Sequence, residues 1–154
     1  MLNNLALAGL AFLGMEGVAW ITHKYLLHGC LWFLHRSHHA NGRRAWERND
    51  LFFVYFGALA IACFVAGSTY LEDLFWVGTG ISIYGIAYFL VHDVFIHHRI
   101  KVFNKPAKNV YLRAVYLAHQ VHHRSSLEDD TESFSLLWVP VKYLKLAQRN
   151  KKHL

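Results

Sequence analysis

All sixteen Lys and Arg residues of this 154-residue chain lie within 24–48 or 99–152, and the stretches they avoid are long and apolar. That exclusion constrains the fold more than any other feature. A helix needs about 17 to 25 mostly apolar residues to cross a bilayer, and a charge held in hydrocarbon is costly. Stretches 2–22, 51–67 and 74–91 meet the requirement, which predicts an all-α membrane helical bundle with three transmembrane helices. The first has neither a basic leader nor a small-residue cleavage site and is read as a retained span. The second covers only roughly 25 Å and has to cross nearly upright or thin the bilayer locally. No linker or low-complexity stretch divides the chain, so 1–154 reads as one membrane domain.

Charge also orients the bundle. The loop at 68–73 carries Glu72 and Asp73 but no cation. By the positive-inside rule both basic regions are cytoplasmic, and that loop and the N-terminus lie outside. The chain is then a multi-pass protein of the cytoplasmic membrane, in contact with its lipids. The net charge of +6 is what such a topology requires, and it implies no nucleic-acid partner. Segment 109–123 carries Arg113 and is too short to span, so it reads as a cytoplasmic helix. The run at 134–146 is broken by Pro140 and ends among Lys142, Lys145 and Arg149, which suits an interfacial segment. Together these two pieces form a helical cap.

The cap region is where the histidines are. Ten of the twelve form four groups: His23/His28, His35/His38/His39, His92/His97 and His119/His122/His123. Topology from Lys and Arg alone places all four groups on one membrane face. Neutral imidazole is the commonest protein metal ligand, and all-nitrogen coordination suits iron, zinc, copper or nickel rather than magnesium or calcium. One ion takes three or four protein ligands, so ten histidines imply two ions with about five each. Cys30 and Cys63 form no CxxC and offer no thiolate site.

Spacing separates two kinds of motif. Residues three or four apart share a helix face, so the two HxxHH sets each present three imidazoles together, to one or both of two neighbouring ions. Residues five apart lie about 140° apart on an α-helix, so the two HxxxxH pairs need a helix end or local unwinding to converge. Their recurrence in both halves suggests a pseudo-repeat. His98 breaks the symmetry and reads as a surface or supporting residue, and His153 in the basic tail as solvated.

The residues between the histidines carry a resemblance. His23-Lys-Tyr-Leu-Leu-His28-Gly29, His35-Arg-Ser-His38-His39, His92-Asp93 through His97, and Ala118-His119-Gln-Val-His122-His123 resemble the bacterial β-carotene 3-hydroxylases over about residues 15 to 145. Those belong to the superfamily of fatty acid hydroxylases and sterol desaturases, membrane non-haem di-iron oxygenases. Val94-Phe95 and His98 depart from the expected pattern without removing a ligand. The resemblance implies two Fe ions held by the ten grouped histidines, O2 as co-substrate, and hydroxylation at C3 of the β-ring. β-Carotene would pass through β-cryptoxanthin to zeaxanthin. The chain has no dinucleotide, flavin or iron–sulfur motif, so electrons would come from a ferredoxin-type donor at the cytoplasmic face.

Other residues are candidates for support. Asp93 stands beside His92, where a carboxylate can take the second ring N–H of a ligand. Glu16 lies within the first span, seven residues before His23, as a proton-handling or supporting group or as a carboxyl bonded to another helix. Glu128, Asp129 and Asp130 follow the last motif. Trp20, Trp32, Phe33, Phe89 and Trp138 are candidates to line a carotenoid path. A fatty acid or sterol hydroxylase or desaturase is the alternative enzyme. A metal transporter is disfavoured, because apart from Glu16 the spans hold no charged residue to thread a pore.

Overall fold

The computed structural model describes residues 2–40, 46–100, 108–124 and 132–149; His153 and Glu128 to Asp130 lie outside them. Among the described residues every regular element is a helix. Helix α1 (Leu2–Ile21) runs on as a π-helical segment (Thr22–Cys30), and α2 (Trp32–His39) follows a kink at Gly29. Helix α3 (Asp50–Thr69) and α4 (Glu72–Tyr88) form a hairpin, and α4 also runs on as a π-helical segment (Phe89–Ile96). Helices α5 (Val110–Arg124) and α6 (Val141–Arg149) complete the chain.

Three helices are long and apolar enough to cross a membrane: Asn3–Cys30, Asp50–Thr69 and Glu72–Ile96. These three helices coincide with the three expected spans, and the first and third run on as helix past 22 and 91. At Thr22–Cys30 hydropathy falls where the histidines begin, whereas Phe89–Ile96 stays apolar around His92, and in both the backbone stays helical by changing to the wider π pitch. His23, His28 and His92 thus belong to the long helices themselves, and His97 caps the end of the second π segment. In the 134–146 segment, residues up to Pro140 are non-helical and α6 begins at Val141; Tyr143 N–H donates to the Pro140 carbonyl at 3.0 Å.

Helix α4 packs between α1 and α3. Small residues allow this, as expected where lipid supplies no hydrophobic drive between helices. A Cβ on Gly80 would fall on Ala8, Ala11 and Phe12 of α1, and one on Gly78 would press on Ala60, Cys63 and Phe64 of α3. Met15, Ala60, Ile81 and Tyr84 form the core between the three helices. The outward residues are large and apolar, among them Leu5, Leu10, Ile61 and Val65, each more than 60% exposed, which fits lipid as the surrounding solvent. At the other end α5 buries Val115, Ala118, His119 and His122 on one face, and Ala114 and Ala118 pack on Tyr143 and Ala147 of α6.

Gly80→Leu should drive α1 off α4 and cost at least about 1–3 kcal/mol. Gly9→Leu, which meets open space, should be near neutral. Thermal unfolding in detergent checks both, and equal midpoints would contradict this packing.

Candidate metal centre

The two π segments solve the problem set by the five-residue spacing. A π turn closes i→i+5 hydrogen bonds, bringing residues five apart towards one face. His97 N–H donates to the His92 carbonyl at 2.9 Å, and Leu31 N–H to the Leu26 carbonyl at 2.8 Å. His23 and His28 come together, with ring centroids 5.1 Å apart, as do His92 and His97 at 4.5 Å.

The imidazoles gather into two nests. One holds His23, His28, His35, His39 and His122; the other holds His38, His97, His119 and His123. Within each, the potential ligand atoms lie within 4.8 Å of one another. His92 adjoins the second nest, its ring 4.8 Å from His38 and 5.0 Å from His119. The ten grouped histidines thus fall into a set of five and a set of four, with His92 beside the second. Each HxxHH set is split: its outer pair stays with the HxxxxH pair of its own half, and its middle histidine, His38 or His122, crosses to the other nest. His98 belongs to neither nest and takes a left-handed φ of 51° where the helix ends.

The hydrogen bonds bear on what the nests could hold. His23 donates from Nδ1 to the Phe134 carbonyl at 3.0 Å, and His35 from Nδ1 to Asn49 Oδ1 at 2.8 Å. Each ring's Nε2 is then a bare lone pair, yet the two Nε2 atoms stand 3.0 Å apart. Two lone pairs at that distance repel unless a cation lies between them. Nitrogens bonded at about 2.1 Å to one ion at right angles are about 3.0 Å apart, so the spacing fits a shared metal. His38 is arranged alike, with Nδ1 on Glu47 at 2.9 Å and a buried Nε2 without a hydrogen-bond partner. His122 donates from Nδ1 to the Glu132 carbonyl at 3.2 Å.

Burial keeps these rings neutral. Desolvation lowers the pKa of His35, His38, His97, His119 and His122, brings His39 down to about 4 and His123 to about 3. Neighbouring imidazoles push in the same direction, so at neutral pH few protons compete with a metal.

Behind the second nest lies a charged layer that sequence reasoning missed except for Asp93. Arg99 pairs with Glu47 at 3.1 Å, Asp50 at 2.8 Å and Asp93 at 3.3 Å, and Asp93 also faces His92 Nδ1 at 3.3 Å. Burial raises the Glu47 pKa, and Arg99 opposes the shift. The turn before α3 is held by Glu47 N–H donating to Asp50 Oδ2 at 2.9 Å, which places Glu47 and Asn49 under the histidines. Two carboxylates flanking the start of a span were the available signal.

A fatty acid hydroxylase family model matches residues 8–141. The chain belongs to the fatty acid hydroxylase family. It is 39% identical to a β-carotene hydroxylase of Pantoea ananas over 137 residues, 89% of this chain and 78% of that protein. It is 36% identical to one of Paracoccus sp. (strain PC1), over 82% of this chain and 78% of the relative. The chloroplastic β-carotene 3-hydroxylase 2 of Arabidopsis thaliana is 39% identical over 80% of this chain and 42% of the plant protein. No solved structure matches the chain.

In this fatty acid hydroxylase family member a cavity of about 320 Å³ extends between α1, α3 and α4 to His23, His35, His92 and His119. Phe52, Phe53, Phe56 and Phe134 line it, and not the five aromatic residues expected from the sequence. Trp32 instead packs on His28 and His39, and Trp138 is 75% exposed. Glu16 touches no histidine. It accepts from Tyr84 Oη at 2.7 Å and from the backbone N–H groups of Leu137 and Trp138 at 2.7 and 2.8 Å. It thereby anchors the non-helical strap 132–140, whose Phe134 and Glu132 carbonyls orient His23 and His122, a support at one remove.

His38→Ala removes a nitrogen from one nest and His122→Ala from the other. Each should abolish turnover and lower bound iron, and full iron with full activity in either variant would refute the ligand assignment. A second expectation concerns pH. Unfolding exposes imidazoles that take up protons near pH 6.5, whereas the buried rings stay neutral well below it. Metal-free protein should therefore lose stability as pH falls from about 6.5 towards the folded values near 4 and 3. Thermal midpoints that stay flat or rise over that interval would contradict the burial of the rings.

Proposed function

We propose that this membrane protein is a carotenoid β-ring hydroxylase, an O2-dependent di-iron monooxygenase that adds a hydroxyl at C3. β-Carotene passes through β-cryptoxanthin to zeaxanthin. The observation that carries this reading is the apolar cavity between the bilayer helices that ends at both histidine nests, in a chain similar to named β-carotene hydroxylases over most of its length. Bound iron supplies the activation of O2 and the attack on an unactivated C–H bond.

The chain's own residues do the rest. The ten histidines His23, His28, His35, His38, His39, His92, His97, His119, His122 and His123 hold two ions, and Glu47, Asp93, Asn49 and the strap carbonyls fix their rings. The phenylalanines of the cavity admit a hydrocarbon ring from the lipid and exclude water from it. The histidine end faces the cytoplasm, in keeping with Lys24, Arg36, Arg48 and Arg113 there, and the N-terminus lies outside. Electrons come from a ferredoxin-type donor that docks on this basic face, where Coulomb attraction favours an acidic partner.

Expression with electron donors in carotene-producing cells tests the reading. Cryptoxanthin and zeaxanthin should accumulate. Unchanged carotene alongside hydroxylated or desaturated acyl chains would overturn it in favour of lipid chemistry.

A further inference from the structure

The two nests differ in what stands behind them. In the first, the ring nitrogens turned away from the centre donate to neutral acceptors: the Phe134 carbonyl from His23, Asn49 Oδ1 from His35 and the Glu132 carbonyl from His122. The Glu132 carboxylate turns the other way, to Lys142 and Tyr143. In the second, the acceptors are carboxylates. Glu47 takes the Nδ1–H of His38, and Asp93 that of the adjoining His92. Asp50 lies just behind, and Arg99 is the single guanidinium shared by all three acids. Among the described residues, three carboxylates stand against one cation beside the second nest, an excess of negative charge, and no such excess stands behind the first.

We propose that the second nest is the tighter metal site and fills before the first. The inference rests on the two-ion reading but not on the identity of the substrate. With His92 counted, both nests offer five imidazoles, so ligand number does not rank them. Charge does. A carboxylate that accepts a ligand's N–H makes the imidazole a stronger donor, and a net negative charge a few ångströms away in a poorly solvated site favours a dication directly. A neutral amide or carbonyl orients the ring equally well but adds no charge. The crossing of His38 makes its role larger: the carboxylate-backed ring belongs in sequence to the first HxxHH set, so Glu47, nine residues further on, supports an ion held mainly by the other half of the chain.

Co(II) titration of the full, metal-free protein in detergent, followed by visible absorption and metal analysis, tests the order. Two Co(II) per chain should bind in separable steps. Glu47→Gln keeps an acceptor for His38 but removes the charge, and should weaken the first step by about 10- to 100-fold while leaving the second. Asn49→Asp places a charge behind His35 and should tighten the second step. If Glu47→Gln fails to fold, Asp93→Asn carries the same expectation. Filling in one indistinguishable step, equal weakening of both steps, an unaltered first step in Glu47→Gln or an unaltered second step in Asn49→Asp would each overturn the proposal. Fewer than two Co(II) per wild-type chain would instead overturn the two-ion reading beneath it.

Discussion

Lone pairs on His23 and His35 face each other at 3.0 Å, and neither ring has a proton to place between them, because both N–H groups are committed outward to Phe134 and Asn49. The arrangement around them exists to hold such mutually repelling atoms together. Burial strips water from the rings, outward acceptors fix their tautomers, and helices on several sides prevent the nests from spreading. A cation between them would relieve that repulsion, and metal affinity and folding would then share the same free energy.

The membrane fixes how that arrangement is supported. Three helices packed through Gly78 and Gly80 give a rigid base, and two of them continue past their apolar stretches as π turns. The change of pitch lets one continuous helix serve two environments, lipid along its length and a polar centre at its end. Helix α5 and the strap before α6 then close the centre from above. Glu16 ties the strap down from within the bundle by accepting three hydrogen bonds, so an acid in an apolar span is spent on architecture.

Much of this was legible in the sequence. The absence of Lys and Arg marked the apolar helices, because a charge in hydrocarbon is costly at any position, and the surplus of histidine marked the cluster that could hold metal. The helices run on past the expected span ends at 22 and 91 because hydropathy reports side chains and not where a backbone stops being helical. The exchange of His38 and His122 between nests was hidden, since spacing along one helix says which residues share a face and nothing about which neighbour they meet. Glu47, Asn49 and Arg99 were hidden for a related reason: they sit near the histidines only in space, and in sequence they resemble an ordinary polar loop. The aromatic residues expected along the cavity are of the kind found at a bilayer interface, whereas those that line it face inward from α3, α4 and the strap.

The exchange of the two middle histidines has a consequence for the whole chain. His28 and His122, 94 positions apart, meet in one nest with Nε2 atoms 3.2 Å apart, and His38 meets His119 and His123 in the other. Each ion would then join the beginning of the chain to its end, as a reversible cross-link does. Closing so long a loop removes far more freedom from the unfolded chain than from the folded one, in the way a disulfide does. Two such clasps, each threaded through both halves, would let a small membrane protein without a disulfide keep its ends locked together for as long as it keeps its metal.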